Sequence, residues 1–259
     1  MDPDVERYLA LLVDEARAVL PDDLVAAYAA GSVASGAYLP GRSDVDVALV
    51  CREAVDLDRK HELVSRLRHE SLPCPARGLE LVLYRRDVAH SGTPEPGFEV
   101  ELNTGGAMAF RATYAAEDRP AADGRFWYAL DRSILHATGI ALFGDPPAEM
   151  FADVPPATLH ALLVEALEWW LALPTPSGDE PAPGAEDAVL GACRSLVRFR
   201  YGVWLPKAEA GRRLVDAGCA AELIDRSIAA RGGGRPPSGP EARAFQRRVL
   251  DEIRAGAPA

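Results

Sequence analysis

The stretch AAGSVASGAYLPGRSDVDVALV (29–50) sets a glycine-serine pair and two aspartates around a strand that is otherwise apolar. Gly31 and Ser32 follow one apolar segment, and Asp44 and Asp46 introduce the next. Side chains alternate between the two faces of a strand, so aspartates two positions apart share a face. The sequence therefore predicts a charged edge on a largely buried sheet.

Apolar periodicity on both sides of this stretch predicts an α/β arrangement. Helices are predicted at 3–19 and 57–71, and strands at 24–30, 45–51 and 78–86. The third strand carries Glu80 between two leucines. If the second and third strands are neighbours, Glu80 joins the two aspartates at one edge of the sheet.

The pattern changes after residue 125, where every apolar segment has helical spacing and no further strand is predicted. We therefore expect an α/β domain with a mixed sheet at 1–152, followed by an all-helical bundle at 153–259. A segment rich in Pro, Gly and acidic residues, 174–186, is predicted to be a loop in the helical half.

Asp44, Asp46 and Glu80 would repel one another strongly unless a cation neutralised them. Hard divalent cations such as Mg²⁺ prefer oxygen ligands and often share their coordination shell with substrate phosphates. The three carboxylates therefore predict a metal site for phosphoryl or nucleotidyl transfer. The alternative is that Asp44 caps a turn and Asp46 faces solvent.

The glycine-serine pair favours the metal interpretation. Gly31 and Ser32 directly follow a strand, which suits a turn whose N–H groups and hydroxyl bind phosphate oxygens at the start of a helix. The stretch contains no Gly-Lys-Ser/Thr and no dinucleotide fingerprint, so neither a P-loop nor a Rossmann site is indicated.

Composition excludes several other classes of protein. The 28 Lys and Arg residues against 39 Asp and Glu give a net charge of −11, which disfavours nucleic-acid binding and suits a cationic small molecule. No apolar run could span a membrane, and the acidic first residues do not resemble a secretory signal. We expect a cytoplasmic monomer that binds neither membranes nor nucleic acid, with its four cysteines reduced.

The spacing of these motifs resembles the nucleotidyltransferase superfamily related to DNA polymerase β, in which a Gly-Ser turn precedes an Asp-x-Asp/Glu pair and a later acidic residue. Over its whole length the chain is similar to bacterial aminoglycoside adenylyltransferases of the streptomycin/spectinomycin (3″)(9) type. GLELVLY (78–84) matches the strand of the catalytic glutamate, and GIALFGDPPAEMFADVPPATL (139–159) matches the segment leading into the helical domain.

The resemblance implies an activity and a set of site residues. AMP would pass from ATP to a hydroxyl of an aminoglycoside or aminocyclitol, with release of pyrophosphate and resistance to the antibiotic. Asp44 and Asp46 would hold two Mg²⁺ ions, with Glu80 as general base and further carboxylate at the metal site. The implied contacts to the nucleotide are Gly31, Ser32, Ser43, Arg194 and Lys207, the last two being 13 residues apart as in the family.

The acceptor site is less closely defined by the resemblance. Streptomycin-handling members carry a tryptophan after the third strand, whereas the corresponding FEVELNTGG (98–106) has none, and Glu101 or Asn103 could hydrogen-bond a sugar there. The residues that would meet the acceptor in the helical half are Trp170, Asp179, Glu186 and Asp187.

Two alternatives remain open at this point. The chain could transfer a nucleotide to a different acceptor, either a biosynthetic metabolite or a protein side chain. It could also be a non-catalytic nucleotide-binding module that has kept the fold.

Overall fold

The structure is a computed structural model that describes residues 1–256. It divides into two compact units, of which the first spans Met1–Val154 and the second begins at Pro155. Within the described residues, no helix is long and apolar enough to cross a membrane, and Cys51, Cys74, Cys193 and Cys219 are all free thiols.

The first unit is a mixed sheet with helices. Its elements are α1 (Pro3–Val19), β1 (Leu24–Ala29), α2 (Gly31–Ala34), β2 (Val45–Cys51), α3 (Leu57–Leu67), β3 (Leu79–Arg85), α4 (Arg86–Ala89), β4 (Phe98–Gly105), β5 (Met108–Thr113), α5 (Trp127–Thr138), β6 (Ile140–Phe143) and α6 (Pro147–Met150). The strand order is β5-β4-β3-β2-β1-β6. Only β2 and β3 pair in parallel, and the other neighbours are antiparallel.

Each face of the sheet packs against helices. On one face, Val45, Val47, Leu79 and Leu81 join a buried cluster with α1 and α3. The opposite face forms a second cluster, in which the strand residues Ala48 and Tyr84 pack with residues of α5 and α6. Because side chains alternate along a strand, Asp44, Asp46 and Glu80 belong to this second face.

The prediction that no strand follows residue 125 is wrong, because Ile140–Phe143 forms β6 and pairs with β1. This segment is too short to show a strand period, and it is bracketed by Gly139, which ends α5, and Gly144. Gly144 has φ +87°, and a Cβ there would lie 2.5 Å from the carbonyl oxygen of Val25. Pairing with an existing strand, which the local sequence does not reveal, makes this segment a strand.

The second unit is built from helices joined by loops, and an isolated β-bridge pairs Pro181 with Ser238. Its helices are α7 (Pro156–Ala172), α8 (Ala185–Tyr201), α9 (Lys207–Asp216), α10 (Ala221–Arg231) and α11 (Gly239–Ala255). They surround their own buried cluster, which includes Leu167, Val189, Leu190, Cys193, Val197, Leu214, Ile224, Phe245, Val249 and Ile253. The predicted order of an α/β half followed by a helical half is what the structure contains.

Candidate active site

Strand pairing brings two of the predicted carboxylates side by side. Asp46 on β2 is in register with Glu80 on β3, and Glu80 is in register with Asn103 on β4. Asp44 lies two residues before Asp46, on the same face. The three carboxylates are only partly buried. The sheet thus presents a row of polar groups where the two parallel strands begin.

The Gly31–Ser32 turn is built against this row. The Ala30 N–H donates to the Asp46 carbonyl at 2.9 Å, and α2 begins at the next residue. Gly31 has φ +57°, and a Cβ there would lie 1.9 Å from Asp46 Oδ2. The Asp46 carboxylate therefore occupies the space that any other residue at position 31 would fill, so the glycine is required both by its backbone angle and by its neighbour.

Ser32 and Ser43 have different surroundings. Ser32 Oγ is buried and has no hydrogen-bond partner among residues 1–256. A buried hydroxyl without a partner is costly, and phosphate oxygens would supply one. Ser43 is buried and its Oγ accepts from the Leu39 N–H at 3.0 Å. The Ser43 hydroxyl therefore closes the preceding loop, although its proton is not committed by that bond.

Asp44 is held by a residue that the sequence did not single out. Arg77 Nη2 donates to Asp44 Oδ2 at 2.9 Å, and the Arg77 backbone N–H donates to the Ser43 carbonyl at 3.2 Å. Arg77 stands three residues before Glu80, just ahead of β3. Its position close to Glu80 in the sequence could have indicated a contact with the predicted acidic cluster, although isolated arginines are usually surface charges.

The surroundings of Glu80 raise its pKa to about 7. Burial is the largest cause, followed by the charges of Asp44 and Asp131, while Arg77 acts in the opposite direction. Asp131 lies on α5, whose neighbouring residues pack on this face of the sheet. A carboxylate with a pKa near neutral can exchange a proton with a hydroxyl substrate at physiological pH.

Glu101, for which the sequence suggested a bond to a sugar, is buried in an ion-pair network. Its carboxylate accepts from Arg111 at 3.0 Å and from Arg119, which also donates to the Tyr128 hydroxyl at 2.6 Å. These bonds satisfy Glu101 on both oxygens together with Thr113. Asn103, directly beside Glu80, is the polar group of β4 that lies next to the carboxylates.

The carboxylates of residues 1–256, as placed, do not form a group of three or more that could hold a metal ion. Mg²⁺ is commonly bound by one or two carboxylates together with substrate phosphates, so a three-residue cage is not required. The possible metal ligands in this row are oxygen atoms. The adjoining Gly31–Ser32 turn adds the Ser32 hydroxyl, which has no hydrogen-bond partner within residues 1–256. The chemistry of this donor set fits Mg²⁺ bound with a nucleotide.

In the second unit, the two predicted basic residues lie near each other and near an arginine that the sequence did not reveal. Lys207 is the first residue of α9, and its Nζ donates to Asp187 Oδ1 at 3.3 Å. Arg231, the last residue of α10, donates to the same oxygen at 2.5 Å. Burial lowers the pKa of Lys207, and the charges of Arg194 and Arg231 act in the same direction against Asp187.

Arg194 is also positioned by an aromatic ring. Its guanidinium carbon is 5.9 Å from the centre of the buried Trp204 ring, and that of Arg198 is 5.7 Å from the same centre. Such cation–π contacts orient a guanidinium without consuming its hydrogen-bond donors.

The remaining predicted acceptor residues lie in three different settings. Trp170, on α7, is 40% exposed and packs edge-on against Trp169 with ring centres 5.2 Å apart. Asp179 is exposed at a surface concavity that Arg226 and Ser238 also line. Glu186 is buried, and its Oε2 accepts from the Gly184 N–H at 2.9 Å. The geometry therefore assigns Glu186 a part in starting α8.

No protein-family model matches the sequence, and no curated protein matches it significantly. Among solved structures, the chain is similar to the spectinomycin adenyltransferase AAD(9) from Enterococcus faecialis, determined with ATP and spectinomycin. The TM-score is 0.68 at 14% sequence identity, and the alignment covers 96% of this chain and 98% of that one. The chain therefore has the fold of this adenyltransferase, a mixed sheet followed by helices, as the sequence resemblance predicted.

Proposed function

We propose that this protein is an ATP-dependent O-adenylyltransferase. It would transfer AMP to a hydroxyl of an aminoglycoside or aminocyclitol antibiotic of the streptomycin and/or spectinomycin class, release pyrophosphate and confer resistance. The observation that carries the proposal is the register of Asp46 with Glu80 directly beside the Gly31–Ser32 turn. The fold shared with the AAD(9) structure supports it.

The proposed reaction uses Glu80 as the general base. Its carboxylate accepts the proton of the acceptor hydroxyl, and the hydroxyl oxygen forms a bond to the α-phosphorus of ATP. The bond from that phosphorus to the α–β bridging oxygen breaks, and pyrophosphate leaves. A base with a pKa of about 7 suits this proton transfer because it is partly deprotonated at neutral pH.

Asp44 and Asp46 would hold Mg²⁺ together with the phosphates. When bound, Mg²⁺ would neutralise negative charge on the phosphates during transfer. Arg77 would have to give up its bond to Asp44 or share it, since both cations would compete for the same carboxylate.

The nucleotide would be bound by groups from several parts of the chain. The Gly31 turn lies against the Asp46 carboxylate, and the buried hydroxyl of the next residue, Ser32, has no hydrogen-bond partner within residues 1–256. Ser43 closes the loop that leads to the carboxylates. The leading N–H groups of a helix have no intrahelical partners, so the start of α2 offers donors to phosphate oxygens. Arg194 and Lys207 would contribute positive charge from the second unit.

The acceptor would be cationic, since the chain carries a net charge of −11. Trp170 and Asp179 are exposed and could contact it, whereas Glu186 would do so only by leaving its bond to Gly184. The sequence lacks the tryptophan that streptomycin-handling relatives carry after the third strand. This difference favours spectinomycin over streptomycin.

Resistance is the direct test of this function. Expression in a susceptible host should raise tolerance to spectinomycin or streptomycin, and purified protein should add the mass of AMP to the drug with release of pyrophosphate. Glu80→Gln should abolish both, whereas Glu53→Gln, which removes an exposed carboxylate from a loop, should abolish neither.

The competing interpretations give different results in the same assay. An AMP adduct on a protein or on another metabolite, with the drugs unmodified, would move the proposal to a different acceptor. No pyrophosphate from a broad panel of hydroxylated acceptors would indicate a nucleotide-binding module without catalysis.

A further inference from the structure

Two cationic side chains of the second unit, Lys207 and Arg231, meet at one carboxylate, and the charge of a third, Arg194, acts on Lys207. We refer to Arg194, Lys207 and Arg231 as the basic cluster. They come from three different helices, α8, α9 and α10. Asp187, in the first turn of α8, accepts from Lys207 and Arg231 at a single oxygen, Oδ1, with distances of 3.3 and 2.5 Å. Asp187 and Arg194 are seven residues apart, which places them on one face of α8.

The surroundings of Lys207 are unfavourable for a positive charge, which argues against a purely structural role for the basic cluster. Lys207 is the first residue of α9, where the partial positive charge of the helix N-terminus disfavours a cation. Burial and the charges of the two arginines lower the pKa of Lys207, and Asp187 raises it. The pKa is lowered overall, so the attraction of Asp187 does not compensate for the other effects on the charged amine. A cluster in which the cations repel one another is stabilised by additional negative charge.

The cluster is also accessible. The side chain of Asp187 is 33% exposed and that of Lys207 is 36% exposed, while Arg231 is 15% exposed. An anion from solvent can therefore reach the two groups that meet at Asp187. A carboxylate oxygen that accepts two charge-assisted hydrogen bonds has the same acceptor chemistry as a phosphate oxygen.

We propose that Arg231 is a third phosphate-binding residue beside Arg194 and Lys207, and that Asp187 is the internal counter-anion that the phosphates of the nucleotide displace. The identity of the anion rests on the proposed nucleotidyl transfer. The proposal changes the role of Asp187, which the resemblance placed at the acceptor. Asp187 would instead hold the cluster together until a polyphosphate takes its place.

The two roles for Asp187 predict opposite effects of the same substitution. If Asp187 competes with phosphate, Asp187→Asn leaves the cations without their carboxylate and strengthens binding of a polyanion. If Asp187 binds a cationic acceptor, the same change weakens acceptor binding and leaves polyanion affinity unaltered.

The test is calorimetric titration of the full chain with inorganic tripolyphosphate, which contains neither base nor ribose. Arg231→Gln should weaken binding by about tenfold to a hundredfold, the range expected for the loss of one charge-assisted hydrogen bond. Arg231→Lys should lie between this variant and the wild type. Arg213→Gln, which removes an exposed arginine from α9, should leave the affinity unchanged.

Asp187→Asn should bind tripolyphosphate several-fold more tightly than the wild type. Its melting temperature without ligand should be lower than that of the wild type, and tripolyphosphate should restore it. A substitution that only removed a structural ion pair would lower the melting temperature without increasing the affinity.

Wild-type affinity in Arg231→Gln and Arg231→Lys would overturn the assignment of Arg231, and unchanged or weaker tripolyphosphate binding in Asp187→Asn would overturn the role given to Asp187. These outcomes are independent of the acceptor. If the antibiotics are not adenylylated but the titrations follow the expected pattern, the proposed function fails and the anion site stands.

Discussion

At the scale of single residues, the closest approach in the candidate site is between Gly31 and Asp46. The Asp46 carboxylate lies where a Cβ at position 31 would be, so the turn and the carboxylate are interdependent. A residue with a side chain at this position would force the Asp46 carboxylate away from its place in the row with Glu80. The Gly-Ser motif is therefore required by packing as well as by any contact to phosphate.

We expect Gly31→Ala to abolish AMP transfer. The change combines left-handed backbone strain, about 1–2 kcal/mol, with displacement of the Asp46 carboxylate. Gly36→Ala is the matched control, because Gly36 has φ +68° but no atom within 4 Å of a Cβ added there. It should show a similar loss of stability in thermal unfolding and keep most of its activity in a pyrophosphate-release assay. Equal activities in the two variants would contradict this account of Gly31.

The ionised form of Glu80 should measurably lower the free energy of unfolding. Its pKa is raised from 4.5 to about 7, so the folded protein binds more protons than the unfolded chain between these values. Stability contributed by the protonated form is present below about pH 4.5 and is lost as the pH rises through about 7. Glu80→Gln removes the buried charge, and at pH 8 it should stabilise the ligand-free protein by roughly 1–3 kcal/mol.

The measurement is chemical denaturation of wild type and Glu80→Gln across this pH range. The two free energies of unfolding should converge near the acidic end and separate as the pH rises. Glu53→Gln provides the comparison, because an exposed carboxylate should give no such separation. A pH-independent difference between wild type and Glu80→Gln would contradict the cause assigned here.

At the scale of elements, α5 is fixed to the sheet by a buried arginine. Arg132 is 1% exposed and donates to the carbonyls of Pro96, Thr93 and Glu95 at 3.0, 2.6 and 2.8 Å. Its guanidinium also lies 5.2 Å from the centre of the Tyr84 ring. The arginine thus joins α5 to the loop before β4, and it places the adjacent Asp131 near Glu80.

Arg132→Met should lower stability by about 3 kcal/mol or more, because it leaves three carbonyl groups without their donor. Thermal unfolding would measure the loss. Arg125→Met is the control, since Arg125 is exposed and donates to a single carbonyl, that of Ala116, at 3.0 Å. A comparable loss in both variants would show that the three bonds of Arg132 contribute little.

The sequence predicts most of the first unit because its signals are local. Alternation along the strands places Asp44 and Asp46 on one face, and parallel pairing of β2 with β3 adds Glu80 in register. The predicted helix at 57–71 ends earlier, at Leu67, because the backbone of Arg68 is extended, with ψ 151°.

Other features could not be predicted because they depend on tertiary contacts. Nothing within the local sequence of Arg77 or Arg231 distinguishes them from surface arginines, and only the fold brings each to an aspartate. The sequence does not define the acceptor residues for the same reason, since the long loop before α8 interrupts the spacing from which they would be assigned. The sequence predicts Asp187 at the acceptor together with Asp179, whereas the contacts of Asp187 are with Lys207 and Arg231.

At the scale of the whole molecule, the two sets of charged groups discussed above belong to different units. The first unit holds the row of carboxylates, and the second holds the basic cluster. Each unit has a buried core built from its own residues. The row of carboxylates and the basic cluster can therefore be studied separately if each unit folds alone.

We expect the fragment that begins at Pro155 to fold alone and to bind tripolyphosphate. Its helices α8–α11 surround one apolar cluster, and Asp187 and Arg194, which act on Lys207 and Arg231, belong to the same unit. Circular dichroism should show a helical spectrum with a cooperative thermal transition. Calorimetry should give tripolyphosphate binding that Arg231→Gln weakens by the same factor as in the full chain. A folded fragment that does not bind tripolyphosphate would contradict this prediction.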